Sequence, residues 1–66
     1  MKTSEINVGE RYFLEGDIAN GHLANGELRL THEEVTRKVV NISPRFVICE
    51  CGRRFLINDK LKIKKV

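Results

Sequence analysis

Two closely spaced cysteines and two histidines are the residues in this sequence whose types suggest metal chemistry. The candidate zinc ligands are Cys49, Cys51, His22 and His32. Structural zinc sites usually combine a pair of cysteines separated by two to four intervening residues with a second such pair, and the second pair is missing here. We therefore expect no cofactor, with Cys49 serving as a small strand residue and Cys51 as a turn residue.

Nucleophiles are present without the groups that would activate them. An enzyme needs a nucleophile, a base and an orienting group around a pocket. No spacing places a base near Ser4 or Ser43, and we expect the adjacent carboxylates Glu33 and Glu34 to be solvated. The sequence therefore predicts a protein that binds rather than catalyses.

Basic residues carry the clearest functional signal. The formal net charge is +3, but the charged residues of 1–34 add up to −4 and those of 35–66 to +7. The basic residues expected to converge at one tip of a β-sheet are Arg37, Lys38, Arg53 and Arg54. Such a tip can bind the phosphates of DNA or RNA, or an acidic protein surface. Nucleic-acid binding is the function that the sequence favours.

That tip depends on a hairpin centred on Cys51-Gly52. Two runs rich in β-branched and aromatic residues, 46–50 and 53–57, flank this dipeptide, which is the pattern of two strands joined by a two-residue turn. With that turn, the residues on the core face are Phe46, Ile48, Phe55 and Ile57. The sequence therefore predicts a hairpin over 46–57.

The second face of this hairpin is only partly polar, which favours an alternative function. Val47 and Leu56 lie there beside Cys49 and Arg54, although an exposed sheet face is usually more polar. The alternative is a protein–protein interaction module, such as a small inhibitor or adaptor of the kind that bacteria, phages and mobile elements encode, or a homodimer. The candidate contact residues are Phe13, Arg45, Val47 and Leu56.

Alternating patterns at the two ends of the chain predict two more strands. A strand over about 10–15 sends Tyr12 and Leu14 inward and Phe13 outward, and a terminal strand over 61–66 sends Leu61 and Ile63 inward. Between them, residues 16–27 contain two tandem Ala-Asn-Gly copies and are expected to form a long loop, because Asn-Gly favours turns. Residues 1–5 are expected to be a flexible N-terminus.

The segment before Pro44 has two interpretations. Its β-branched residues favour a strand, joined to the next one by a turn at 43–46. The alternative is an α+β fold with a short helix at about 32–42 packed on a three-stranded antiparallel sheet, because 31–34 matches a helix capping box. We favour the strand, and hence a mainly β fold.

The resulting order of strands over residues 1–66 resembles the small five-stranded barrels of the Src-homology-3 (SH3) type. The resemblance rests on strand spacing, and it implies a single domain with a binding groove bordered by 17–27 and 43–45. Members that bind proline-rich peptides use a tryptophan and clustered tyrosines, and this chain has no Trp and one Tyr.

Composition also predicts the cellular location of this domain. No apolar run is long enough for a signal peptide or a membrane span, and two cysteines this close are poorly placed to form a disulfide with each other. We therefore expect a cytoplasmic protein with reduced thiols and no membrane partner.

Overall fold

The computed structural model describes residues 2–66 and contains five β-strands in one antiparallel sheet. The strands are β1 (Arg11–His22), β2 (Leu28–Ile42), β3 (Phe46–Cys49), β4 (Arg54–Leu56) and β5 (Lys62–Lys65). Within residues 2–66 the helical structure consists of a 3-10 turn at Thr3–Glu5. No helix in this part of the chain has the length and apolar character needed to cross a membrane.

The N-terminal segment leads into the sheet through that 3-10 turn. Of residues 1–5, which we predicted to be flexible, Met1 lies outside the described residues. The backbone N–H of Lys2 donates a hydrogen bond to Glu5 Oε1 at 2.8 Å, and Ile6 is buried directly after the turn. The chain is thus anchored to the core before β1 begins.

Strand β1 closes the sheet into a barrel. Along one edge it pairs with β2 over most of its length, and along the other edge it pairs first with β5 and then, at Ile18↔Phe55, with β4. Strand β3 pairs with both β2 and β4. The pairing therefore runs from β1 through β2, β3 and β4 back to β1. The predicted mainly β, five-stranded small barrel is confirmed.

The core takes alternate residues of β1, one residue each from β2, β4 and β5, two from β3, and one that precedes β1. Tyr12, Leu14, Gly16 and Ile18 are the buried positions of β1, as expected for a strand with one inward face. The other buried residues are Ile6, Val39, Val47, Cys49, Phe55 and Ile63. Glycine at position 16 allows Leu61 to pack closely against β1, since a Cβ atom there would lie 3.1 Å from Leu61 Cδ1.

The segment before Pro44 is a strand, so the helical alternative at about 32–42 is wrong. β2 runs continuously from Leu28 to Ile42, because its β-branched residues suit a strand and pairing with β1 satisfies its backbone. The predicted turn after it is confirmed: Ser43 N–H donates to Phe46 O at 2.8 Å, and Phe46 N–H donates to Ser43 Oγ at 3.0 Å.

The long loop predicted at 16–27 is much shorter, because β1 continues to His22. The first Ala-Asn-Gly copy is part of that strand, where the register shifts between Ala19 and His22 and Gly21 takes a φ of 90°. The second copy makes the turn, with Leu23 N–H donating to Glu27 O at 2.7 Å. Pairing with β2 thus overrides the turn preference of the first copy.

The turn at Cys51-Gly52 is one residue longer than predicted. Cys49 N–H donates to Arg53 O and Gly52 N–H donates to Cys49 O, each at 2.9 Å, so the loop consists of residues 50–52. Gly52 has a φ of 87°, the left-handed conformation that typically ends a three-residue hairpin loop. The two-residue turn was therefore wrong.

The extra loop residue changes which side chains of β3 are buried. The observed pairs are Phe46↔Leu56, Val47↔Phe55 and Ile48↔Arg54. A one-residue shift moves a strand's side chains to the opposite face, so β3 buries Val47 and turns Phe46 and Ile48 outward, where both are half-buried. The predicted core face was wrong for these two residues and correct for Phe55, which is fully buried.

Candidate functional site

The four basic residues predicted to converge at one tip lie on two different faces of the sheet. Arg37 pairs with buried Tyr12 in the register of β1 and β2, so it lies on the inward side and is half-buried. Lys38 pairs with Arg11, and both are exposed on the outward side. Adjacent residues of a strand point to opposite faces, so Arg37 and Lys38 cannot act on one ligand surface.

Arg53 and Arg54 are separated in the same way. Arg53 Nε donates to Glu33 Oε1 at 3.0 Å, whereas the Arg54 guanidinium carbon lies 5.6 Å from the centre of the Phe46 ring. The single phosphate-binding tip is therefore not formed. The three-residue hairpin loop and a register shift near Val40 change the pairing at this end of the sheet.

Arg53 joins Cys51 in a small polar cluster that surrounds a depression of about 370 Å³. Arg53 Nη1 donates to Cys51 Sγ at 3.3 Å. Burial tends to raise the pKa of the Cys51 thiol, but the hydrogen bonds from the Arg53 backbone and guanidinium outweigh it, and the pKa lies below its ordinary value. Burial, with a smaller contribution from Cys51, raises the pKa of Cys49 to about 11.

The two thiols should therefore differ in reactivity. At pH 7.5 we expect iodoacetamide to modify Cys51 at least about ten times faster than Cys49, because the thiolate is the nucleophile. Arg53→Gln removes a bond that favours the thiolate, so the rate–pH profile of Cys51 should move to higher pH. Mass spectrometry of timed digests measures both rates. Lys60→Gln, with the same charge change, is the control, and identical profiles for wild type and Arg53→Gln would contradict the prediction.

The candidate zinc ligands lie in different environments. Cys49 is buried and Cys51 is exposed, both as free thiols. His32 Nε2 lies 3.1 Å from Glu15 Oε2, and His22 is exposed at the end of β1. Among residues 2–66, no three His, Cys, Asp or Glu side chains are grouped so that they could hold a metal ion.

A groove of about 540 Å³ lies on the outer side of the sheet, where the end of the β1–β2 hairpin faces β3 and β4. We name it the Phe46 groove. The residues that line it are His22, Gly26, Glu27, Leu28, Leu30, Arg45, Phe46, Arg54 and Leu56. Its volume lies within the range of about 300–1,000 Å³ that is usual for ligand pockets.

Two arginines lie against the aromatic ring of this groove. The guanidinium carbons of Arg45 and Arg54 are 5.7 and 5.6 Å from the centre of the Phe46 ring, within the range of cation–π contacts. Neither side chain is among the ion pairs that the structure has within residues 2–66. Both guanidinium groups therefore keep hydrogen-bond donors for an external anion.

The groove brings together only part of the predicted contact surface. Leu56 and Arg45 line it. Val47, which we predicted beside Leu56, is fully buried, because the hairpin register places it opposite Phe55. Val47 can therefore contact neither a partner nor a second copy of the chain. Phe13 is half-buried on a different part of the sheet.

Three of the groove residues were missed from the sequence. Phe46 was assigned to the core, and Leu28 and Leu30 were not assigned to any surface. The sequence does carry a signal for the two leucines: they alternate with charged Arg29 directly after a turn, a pattern that predicts a strand with one apolar face.

The register of the β3–β4 hairpin creates the Phe46 groove, which is the candidate ligand-binding surface of this barrel. A comparison with protein families, curated proteins and solved structures found no match.

Proposed function

We propose that this protein is a binding module whose Phe46 groove holds a short protein segment carrying an acidic and an apolar side chain. The two arginines at one aromatic ring, neither in an ion pair within residues 2–66, are the observation that supports this proposal. Arginine binds carboxylates through two parallel hydrogen bonds, and the contact with Phe46 places both guanidinium groups beside the same ring. An Asp or Glu side chain is the peptide group that fits them.

The rest of the groove supports an apolar neighbour for that carboxylate. Leu28 and Leu56 are half-buried, and Leu30 is 42% exposed. These side chains form an apolar surface next to the charged end, and apolar area removed from water is worth about 25 cal/mol per Å². An aliphatic or aromatic side chain would cover it.

The shape of the groove favours a peptide over a small molecule. The groove is open along the outer face of the sheet, whereas small ligands are usually buried over about 70–90% of their surface. Glu27 lines the hairpin side of the groove and Arg45 its opposite side. This charge polarity gives a bound segment one preferred direction, with its acidic residue at the arginines.

The test is selection of peptides from a random 12-residue phage-display library on the immobilised protein. We expect the enriched peptides to combine Asp or Glu with a large apolar residue. Arg45→Gln/Arg54→Gln should weaken their binding at least about tenfold in fluorescence anisotropy, because hydrogen bonds to charged groups are worth about 1.5–3 kcal/mol. Leu56→Gln should also weaken it.

Lys2→Gln/Lys60→Gln is the control, since it removes the same charge at two exposed positions outside the groove. It should change affinity by less than about twofold, because distant surface charges are screened by salt. Peptides without acidic residues, or an equal loss of affinity in the control, would contradict the proposal. Amide chemical-shift changes around Phe13 instead of Phe46 would do so as well.

A further inference from the structure

We propose that a second surface, on the outer side of β5, β1 and β2, binds single-stranded RNA with a base stacked on Phe13. We name it the Phe13 face and define it by Arg11, Phe13, Thr36, Lys38 and Lys64. It shares no residue with the Phe46 groove. The proposal is therefore independent of the peptide-binding function.

The strand register brings these residues together. Phe13 pairs with Thr36 of β2 on one side and with Lys64 of β5 on the other. Arg11 pairs with Lys38 two residues further along. Since Tyr12 and Leu14 point inward, the intervening side chains of β1 point outward, and their cross-strand partners share that face.

The Phe13 face combines an aromatic ring with positive charge. Lys64 Nζ lies 5.9 Å from the centre of the Phe13 ring, and Arg11 and Lys38 are both exposed. None of the three basic side chains is in an ion pair with another described residue. Aromatic rings that stack bases, beside basic groups that hold phosphates, are what sequence-tolerant single-strand binding requires.

The dimensions of this face fit a short extended strand. Residues two apart on a β-strand are about 6.8 Å apart, and neighbouring strands are about 4.8 Å apart. A base on Phe13 thus places its flanking phosphates within reach of Lys64 on one side and of Arg11 and Lys38 on the other. A duplex keeps its base faces stacked and cannot present one to the ring.

One polar neighbour of the ring favours RNA over DNA. Thr36 pairs directly with Phe13 and is half-buried, and directly opposed side chains have Cβ atoms about 4.5–5.5 Å apart, so a nucleotide stacked on the ring would have this hydroxyl group as a neighbour. A hydroxyl both donates and accepts hydrogen bonds, and the ribose 2′-hydroxyl is the group by which proteins distinguish RNA from DNA.

Acidic residues border the Phe13 face on the side away from Arg11. Glu15 pairs with Glu34 on β2 and with Lys62 on β5, so the next row of the sheet carries two carboxylates and one amine. These carboxylates repel phosphates, which confines the RNA to the end of the sheet that carries Arg11. Glu34→Gln should therefore strengthen RNA binding.

The test is fluorescence anisotropy with labelled ten-nucleotide oligo(U), oligo(dT) and a duplex of the same length, at 20 and 150 mM salt. We expect micromolar binding of oligo(U), weaker binding of oligo(dT) and the weakest binding of the duplex. Phe13→Ala should weaken oligo(U) binding about tenfold, and Phe13→Tyr should preserve it, because stacking needs only a ring. Lys38→Gln/Lys64→Gln should weaken binding and reduce its salt dependence.

Lys2→Gln/Lys60→Gln again removes two charges outside the face and should retain most of the affinity. Circular dichroism checks that each variant is folded. No binding of oligo(U) by the wild type at 20 mM salt would overturn the proposal, and so would equal losses in Phe13→Ala and Phe13→Tyr or in the two charge-matched variants. Equal or tighter binding of oligo(dT) would overturn the assignment to RNA.

Discussion

Val47→Asp is expected to unfold the protein at 25 °C, whereas Ile48→Asp is expected to leave it folded. Val47 is fully buried opposite Phe55, and an unpaired carboxylate there costs several kcal/mol. A domain of this length has a total stability of only about a few kcal/mol. Ile48 is half-buried on the outer face, where an aspartate keeps contact with water.

Far-ultraviolet circular dichroism and amide NMR spectra of the two variants provide the measurement. These neighbouring residues have similar side chains in the same strand, so each controls for the other. If Ile48→Asp unfolded the chain and Val47→Asp did not, the hairpin would have the two-residue turn instead of the three-residue loop. That result would also move Phe46 out of its groove.

Phe55→Ala is expected to lower the free energy of unfolding by about 3–5 kcal/mol, the usual cost of removing a large buried ring. Phe55 is fully buried, and its backbone forms the pairing with Ile18 by which β4 meets β1. The substitution therefore removes packing at the position where the barrel closes. Because this loss is about as large as the stability of the whole domain, Phe55→Ala should be mostly unfolded at 25 °C, which far-ultraviolet circular dichroism checks. Urea denaturation measures the smaller losses of the variants below.

Two further variants make this prediction specific. Phe55→Leu keeps most of the volume and should cost less than about 1.5 kcal/mol. Phe46→Ala removes the same ring from the outer face, where it is half-buried, and should cost much less than Phe55→Ala. Equal costs at Phe46 and Phe55 would contradict the assignment of one ring to the surface and the other to the core.

The fold could be predicted from the sequence because its strongest patterns are local. Tyr12 and Leu14 alternate with polar or outward residues, and the structure buries both. The β-branched residues before Pro44 predicted a strand, and β2 contains them. Each of these predictions depends on residue types and their spacing within one strand.

The candidate site could not be predicted in the same way, because it depends on register between strands. One additional loop residue at 50–52 is enough to exchange Val47 and Phe46 between core and surface. The residues around Cys51-Gly52 are compatible with a two-residue turn and with a three-residue loop. Only the packing of the hairpin against β1 and β2 selects the three-residue loop. The groove that Phe46 forms with Arg45 and Arg54 follows from that choice.

The tandem Ala-Asn-Gly copies should affect the rate at which the barrel folds. Both copies have the same turn chemistry, so the nascent β1–β2 hairpin has two places at which to nucleate. A turn at the second copy, Leu23 to Glu27, leads to the native ladder, whereas a turn at Ile18 to His22 pairs the strands with the opposite face of β2 inward. We expect chains that nucleate at the first copy to unzip before the core can assemble, so that refolding has a direct and a delayed phase.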